Sequence, residues 1–541
     1  MKTIIQLLKA VVFLILSTHV ALASIDDRES FSQALIGKNN PQKEAAMTWL
    51  VDNESNDIAK SVLTAWLEGE LYYFNDRKSD EYQALYLSAD IKKASEAQSA
   101  WNNNMLAVEN SRQFKKVRVN NKLRGLIRLE IASLGLAHSD PIARLSAVNA
   151  LLGQTDDSIV TRLSERLAVE TDSEIQHILT LAVSIDEALT SDTPQQRIAA
   201  IDEISYYKQS VVLQTLNKVL KSEKDELVVS AAERALDRYQ QSQKLYSGVE
   251  TLFFGLSLGS VLVLAGIGLA ITFGVMGVIN MAHGELIMIG AYTTYVMQQL
   301  MPNQIGLALI LSIPMAFIVS GLVGVAIERS VIRHLYGRPL ETLLATFGIS
   351  LILQQAVRSI FSPLNRSVST PDWMSGALEI NPMLSLTYNR LYIILFCFMV
   401  FIGLVMVLKK TPLGLQVRAV SQNRSMARAM GIRSERVDAM TFGLGSGVAG
   451  IAGVALSQLT NVGPNMGQAY IIDSFMVVVF GGVGNLWGTL VAGLSLGLFN
   501  KILEPWAGAV LAKILVLVFI ILFIQKRPRG LFPQRGRAAE G

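Results

Sequence analysis

From Leu252 to Ile524 the chain is a succession of apolar runs, each near the roughly 20 residues that cross the hydrocarbon of a bilayer. No other feature restricts the fold as much. Hydrocarbon offers no water to a peptide group, so runs of this length must be helices that satisfy their own backbone bonds. They fall at Leu252–Val275, Val278–Gln298, Ile305–Ile327, Glu341–Phe361, Leu391–Leu408, Val437–Leu459, Ile472–Asn500 and Gly508–Ile524.

Sidedness follows from the basic residues, which gather in short cytoplasmic loops. Arg329, Arg333 and Arg338 follow the third run, and Lys409, Lys410, Arg418, Arg424, Arg428, Arg433 and Arg436 follow the fifth. With the amino-terminal half outside, both sets are cytoplasmic, and Ser362–Arg390 is outside. Eight simple crossings would put the basic tail after Lys526 outside as well. The run Ile472–Asn500 is long and interrupted by Gly481-Gly-Val-Gly-Asn485, so it is expected to cross twice or to contain a half-helix, giving about 8–9 spans and a cytoplasmic tail.

One run is not uniformly apolar. Asn280, His283 and Glu285 stand within six positions, beside Gly284 and just after Gly277. Ionisable groups at membrane depth are costly and must face other helices, a backbone partner or a water-filled cavity. Two readings coexist: these residues line a translocation pathway, or they cap and neutralise the start of a broken helix. Broken helices in transporters commonly line the substrate site, so the two are compatible.

The amino-terminal half is different in kind. Lys2 and Lys9 precede a short apolar run, and Ala21-Leu-Ala23 has the small-x-small form of a signal-peptidase site, so 1–23 is expected to be a signal peptide. The expected domains are then 24–247, extracytoplasmic, and 248–541, in the membrane. Four blocks beginning at Ser139, Asp172, Asp192 and Lys224 each carry an Asp able to cap a helix and apolar residues on one face. They resemble HEAT-type helical repeats, irregularly spaced. The fold class expected is all-α, with a short strand or turn possible at Tyr72–Phe74. The basic run Lys115–Arg124 is either a solvated face or a contact for a partner or anionic head groups.

Several functions are excluded. The net charge of +4 is small and dispersed, which gives no reason to propose nucleic acid as a partner. The single cysteine, Cys397, lies in an apolar run, and no His-Glu-x-x-His pattern occurs, so neither a disulfide nor a metal hydrolase is indicated. No metal or other cofactor is expected on this chain. There is no phosphate-binding Walker loop, so ATP must be hydrolysed by a partner if it drives anything. A pure receptor or scaffold is disfavoured, since an anchor needs neither so many spans nor intramembrane polar groups.

The segment Thr411–Ile432 is too apolar and too helical for a plain linker. Met426, Met430 and Ile432 alternate with Arg424 and Arg428, a mixed surface suited to a groove on another protein or to the membrane surface.

Three passages, Phe273–Glu285, Thr411–Ile432 and Phe480–Gly493, together resemble the permease subunits of ABC importers for branched-chain amino acids and their relatives. The exported extension, with Val117-Arg-Val-Asn-Asn-Lys-Leu-Arg124, is similar to that of the larger urea-importer permeases in that family. The resemblance implies an inner-membrane permease for urea, or alternatively for branched-chain amino acids or short amides. It implies a second homologous permease, two cytoplasmic ATPases that use the ATP, an extracytoplasmic solute-binding protein and membrane lipid as partners. Asn280, His283 and Glu285 match the family's first motif, which by itself assigns no substrate contact; with Gly284 they stay the candidate translocation pathway or broken-helix motif. Gly414, Arg418, Ala419, Arg424, Ala427, Met430 and Gly431 become the candidate ATPase-coupling loop, and Gly481, Gly482 and Gly484 a glycine-rich membrane motif.

Overall fold

The computed structural model describes residues 25–532 apart from 78, 80 and 103; the expected signal peptide, 1–23, lies outside the described residues. The chain divides into two compact units, one up to Gln240 and one from Gln241.

The first unit opens with α1 (Arg28–Ile36), α2 (Asn40–Asn53) and α3 (Asn56–Glu68), which enclose Phe31, Leu50, Leu63 and Trp66. It is not all-α. Strands β1 (Leu71–Phe74), β2 (Leu85–Leu87), β3 (Glu96–Ser99), β4 (Met105–Ala107) and β5 (Phe114–Lys116) form an antiparallel sheet in the order β4-β3-β2-β1-β5. Each strand has only three or four residues, too few for alternation to announce itself. Phe74, Tyr86 and Phe114 close one face with edge-on ring contacts.

Helices follow: α4 (Asn121–Gly135), α5 (Pro141–Leu151), α6 (Asp157–Val169), α7 (Ser173–Thr190), α8 (Pro194–Ile204) and α9 (Ser210–Ser222). Asp140 and Asp172 cap α5 and α7 as expected, while Thr193 rather than Asp192 caps α8. Three ion pairs staple this region. Buried Glu170 receives both Arg144, at 2.9 Å, and Arg166, at 2.7 Å; Arg197 pairs with Glu223. Arg144 holds the Glu170 carboxyl at about 2, well below the usual carboxylate range. Arg144–Glu170 and Arg197–Glu223 each join residues 26 apart. His138 accepts from the Asp140 amide, and His177 stacks on Tyr207, so both are packing residues.

The long helix α10 (Glu226–Met276) leads into the membrane unit. There, α11 (His283–Leu300), α12 (Ile305–Ser330), α13 (Pro339–Phe361), α14 (Tyr388–Lys410), α15 (Pro412–Gln422), α16 (Arg424–Ala429), α17 (Ser434–Ser457), α18 (Met466–Gly481) and α19 (Leu486–Lys526) follow, with a hairpin of β6 (Ala377–Asn381) and β7 (Leu384–Thr387). Among the described residues six helices are long and apolar enough to cross a membrane: α10, α12, α13, α14, α17 and α19. That is fewer than the sequence suggested, because α11 begins in mid-chain polar residues, α18 has only 16 residues, and α19 contains two limbs.

Gly508, at φ 77°, turns α19 back on itself. Phe499 on the first limb meets Phe519 on the second at 6.0 Å, and Asn485, which caps the start of α19, bonds the Phe532 carbonyl beyond its end. The interrupted run around Gly481–Asn485 is therefore a turn between α18 and α19. At this same end of the unit lie Lys409, the α15–α16 loop and the start of α17.

Candidate translocation site

Two helices of the membrane unit start at mid-depth rather than at a surface. After Met276, Gly277 at φ 65° begins a non-helical stretch that ends at His283. The ring of His283 has by then returned to Ala265, eleven residues back along α10, so the stretch re-enters by roughly 16 Å. Six extended residues span at most about 20 Å, enough to make that return. The second start is α18, reached from the opposite end of the unit through Val462, which pairs with Arg366. Gly467, in its first turn, lies against Gly284: a methyl on either would strike the other's main chain. Two breaks entered from opposite ends and meeting in the middle are the arrangement of inverted-repeat transporters.

The polar residues of the first break divide by role. His283 Nε2 donates to the Ala265 carbonyl at 2.8 Å, which fixes the ring against α10, and Gly268 leaves the space for it. Asn280 Oδ1 accepts from the Ala282 amide at 3.0 Å and shapes the turn. Glu285 is fully buried, and its Oε1 accepts from Ser350 Oγ at 3.0 Å and Gln354 Nε2 at 2.7 Å. Its Oε2 has no partner, and neither has Asn280 Nδ2 or His283 Nδ1. Gly284 supplies only close approach.

The partners on α13 were not anticipated from the sequence. Thr342, Thr346, Ser350, Gln354 and Arg358 recur every fourth residue, so they form one stripe along the helix. Thr346 Oγ1 accepts from the Met281 amide, and Arg358 donates to Asn465 Oδ1 at 2.6 Å. Asn465 immediately precedes α18. One helix thus bonds both breaks and the carboxylate between them. The signal was present: five polar residues at a strict spacing of four, in a run whose other polar residues are Glu341, Gln355 and Ser359.

The loop after α14 is built rather than loose. Gly414 packs on the Leu408 backbone, where a methyl would clash, and Arg418 donates to the Leu408 carbonyl. Ala419 and buried Ala427 pack with Val417, Val420 and Val437. Arg424 points inward, bonded to Asp438 and stacked 3.9 Å over the Tyr336 ring. Gly431, at φ 86°, ends the helix. Leu415, Met426 and Met430 are left outward, 63%, 60% and 78% exposed, an apolar patch on a unit-end loop. The glycine-rich motif makes a turn: Gly481 packs on Gly488, Gly484 on Gly274, and Gly482 has φ 105°. Among the described residues no cluster of three or more His, Cys, Asp or Glu is placed to hold a metal ion.

A model of the family described as branched-chain amino acid transport system / permease component matches residues 251–524, half of the chain. The chain belongs to that family. It is a multi-pass membrane permease of the ABC type, not an enzyme, and permeases of this family use no bound cofactor. The high-affinity branched-chain amino acid permease BraD of Pseudomonas aeruginosa is 29% identical over 53% of this chain and 96% of its own length. LivH of Salmonella typhimurium is 29% identical over 54% of this chain and 97% of its own. The ribose import permease RbsC of Bacillus subtilis is 33% identical over 19% of this chain and 34% of its own. No solved structure matches. The unit up to Gln240 lies outside the family match.

Proposed function

We propose that the chain is one permease subunit of an ATP-driven importer that carries a small nitrogenous solute across the cytoplasmic membrane, paired with a second permease, two ATPases and an extracytoplasmic binding protein. The relatives matched over nearly their whole length are named for branched-chain amino acids, and this favours that substrate class. The observation that carries the transport reading is the meeting of two broken helices around the buried Glu285 carboxylate. A second reading, urea, is supported by the exported extension outside the family match and by the row of amide and hydroxyl groups on α13, which suits a small neutral solute.

In this reading the end that carries Lys409, Lys410 and the α15–α16 loop is cytoplasmic, following the excess of basic residues there. Met426, Met430 and Leu415 then face the ATPase. The amino-terminal unit is outside, and its helices form a short HEAT-like array. The support is a recurrence at an offset of 53 residues: Pro141 and Pro194, Arg144 and Arg197, Glu170 and Glu223, Asp172 and Asp225 hold equivalent places. Buried Leu181 and Ile185 of α7 correspond to exposed Arg234 and Arg238 of α10, a polar outer face of the kind that ends such an array.

Uptake of labelled leucine and of labelled urea, in urease-free cells with and without this gene, tests the reading. Loss of leucine uptake alone selects the amino-acid importer, and loss of urea uptake that leucine does not compete selects urea. Loss of neither overturns the proposal.

A further inference from the structure

The first unit carries an open cleft of about 640 Å3 that its own packing does not fill. The cleft lies on the seam between two apolar clusters: Val51 and Leu134 pack against the one built on Phe31 and Trp66, and Leu136 belongs to the one built on Leu151 and Leu179. Its far wall is one face of α6, where Arg162, Glu165, Arg166 and Val169 recur at helical spacing. The volume is that of a small-molecule site rather than of a packing defect.

The charges of the cleft are arranged but not satisfied. Arg162 Nη1 donates to Ser133 Oγ, at 2.8 Å, and to Glu130 Oε2, at 3.3 Å. Its Nη2 stands 3.7 Å from Asp52 Oδ1, beyond hydrogen-bond reach, and neither Nη2 nor Nε has a hydrogen-bond partner among the described residues. That free Nε–Nη2 edge is a side on which a guanidinium grips a carboxylate with two parallel bonds. Asp52 and Glu165, both exposed, put acceptors on the same cleft. Arg166 does not compete, because its Nε and Nη2 are both bonded to Glu170.

A ligand that answers this arrangement carries a carboxylate for Arg162 and an ammonium for the acids. The two must lie close together, since Nη2 and Asp52 Oδ1 are 3.7 Å apart. An anion alone would face two carboxylates, and a cation alone would face Arg162. The other walls, Val51, Leu134, Leu136 and Val169, are apolar and suit an aliphatic side chain. We propose that the cleft binds a free α-amino acid with an aliphatic side chain, its carboxylate on Arg162 and its ammonium on Asp52 and Glu165. The unit up to Gln240 is thereby a ligand-binding module in its own right, and no step of this rests on the transport reading.

Calorimetric titration of the full chain in lipid nanodiscs with L-leucine tests the site. Saturable binding is expected. Isocaproate, which lacks the ammonium, and isoamylamine, which lacks the carboxylate, should each bind about tenfold or more weakly, and Arg162→Gln should weaken leucine to the same extent. Because Arg162 also ties α6 to α4, Val169→Trp is the second variant. It fills the cleft from an exposed position and leaves every ion pair in place, so binding should be lost with thermal unfolding unchanged. A chain that binds no leucine, binds either half-molecule as tightly as leucine, or binds leucine undiminished in Val169→Trp overturns the site. Transport is read apart. An importer that moves urea but not leucine, with cleft binding present, overturns the amino-acid substrate class and leaves this site standing; an importer that moves leucine through a chain without cleft binding does the reverse.

Discussion

Gly284 and Gly467, 183 residues apart in sequence, lie main chain against main chain at the centre of the membrane unit, each occupying the room a side chain would need on the other. Contact this close leaves no slack on either helix. Gly284→Ala or Gly467→Ala forces the helices apart, an overpacking on the order of 1–3 kcal/mol or more. The expected result is reduced membrane accumulation or transport for either substitution. Gly348→Ala on α13, where nothing lies within 4 Å of the added methyl, is the control and should behave as wild type.

The outward methionines offer a separate experiment. Met426 and Met430 contribute little to the unit's own core, so Met426→Asp with Met430→Asp should leave thermal unfolding of the permease within about 0.5 kcal/mol, as surface changes usually do. Co-purification of the ATPase subunits should be lost. An ATPase that still co-purifies would move the docking surface elsewhere.

Arg424 behaves differently, since it faces inward onto Asp438 and Tyr336. Arg424→Lys keeps the charge but neither the fork to the carboxylate nor the flat face over the ring. It should therefore retain ATPase binding while transport per ATP hydrolysed falls severalfold, measured in proteoliposomes. Unchanged stoichiometry would show that this contact carries no coupling.

In the first unit, the Glu170 carboxyl is held at about 2, below its unfolded value, so its ion pair stabilises the fold fully above pH ~5 and is lost as the pH falls toward 2. Glu170→Gln leaves Arg144 buried without a counter-charge and should cost about 3–5 kcal/mol at neutral pH. Circular dichroism of the full chain during acid titration should show helix loss over that window, with the variant already destabilised at pH 7.

Much of the helical framework could be read directly, because spanning length, basic loop ends and capping aspartates act locally: Asp140 and Asp172 cap where their positions suggest. The five-stranded sheet could not, since β2, β4 and β5 have three residues each and are held by pairing with other strands, for β5 across more than 39 positions, rather than by their own pattern. Glu285 stood out as an ionisable residue in an apolar run, but its partners Ser350 and Gln354 did not, because Ser and Gln in a span are individually unremarkable. The inward aim of Arg424 was hidden for a related reason: a basic residue in a loop looks exposed until the ring of Tyr336 and the carboxylate of Asp438 are folded beneath it.

The stripe on α13 has a mechanical consequence. Thr346 holds the first break about 6 Å to one side of Ser350, and Arg358 holds the second about 12 Å to the other. Ser350 itself sits on Glu285. A rigid rod pinned at that level acts as a lever with unequal arms: any tilt moves the two breaks in opposite directions, the second twice as far as the first. Tyr336, three residues before α13 begins, lies beneath Arg424, so a push on the α15–α16 loop is applied to the rod at its handle.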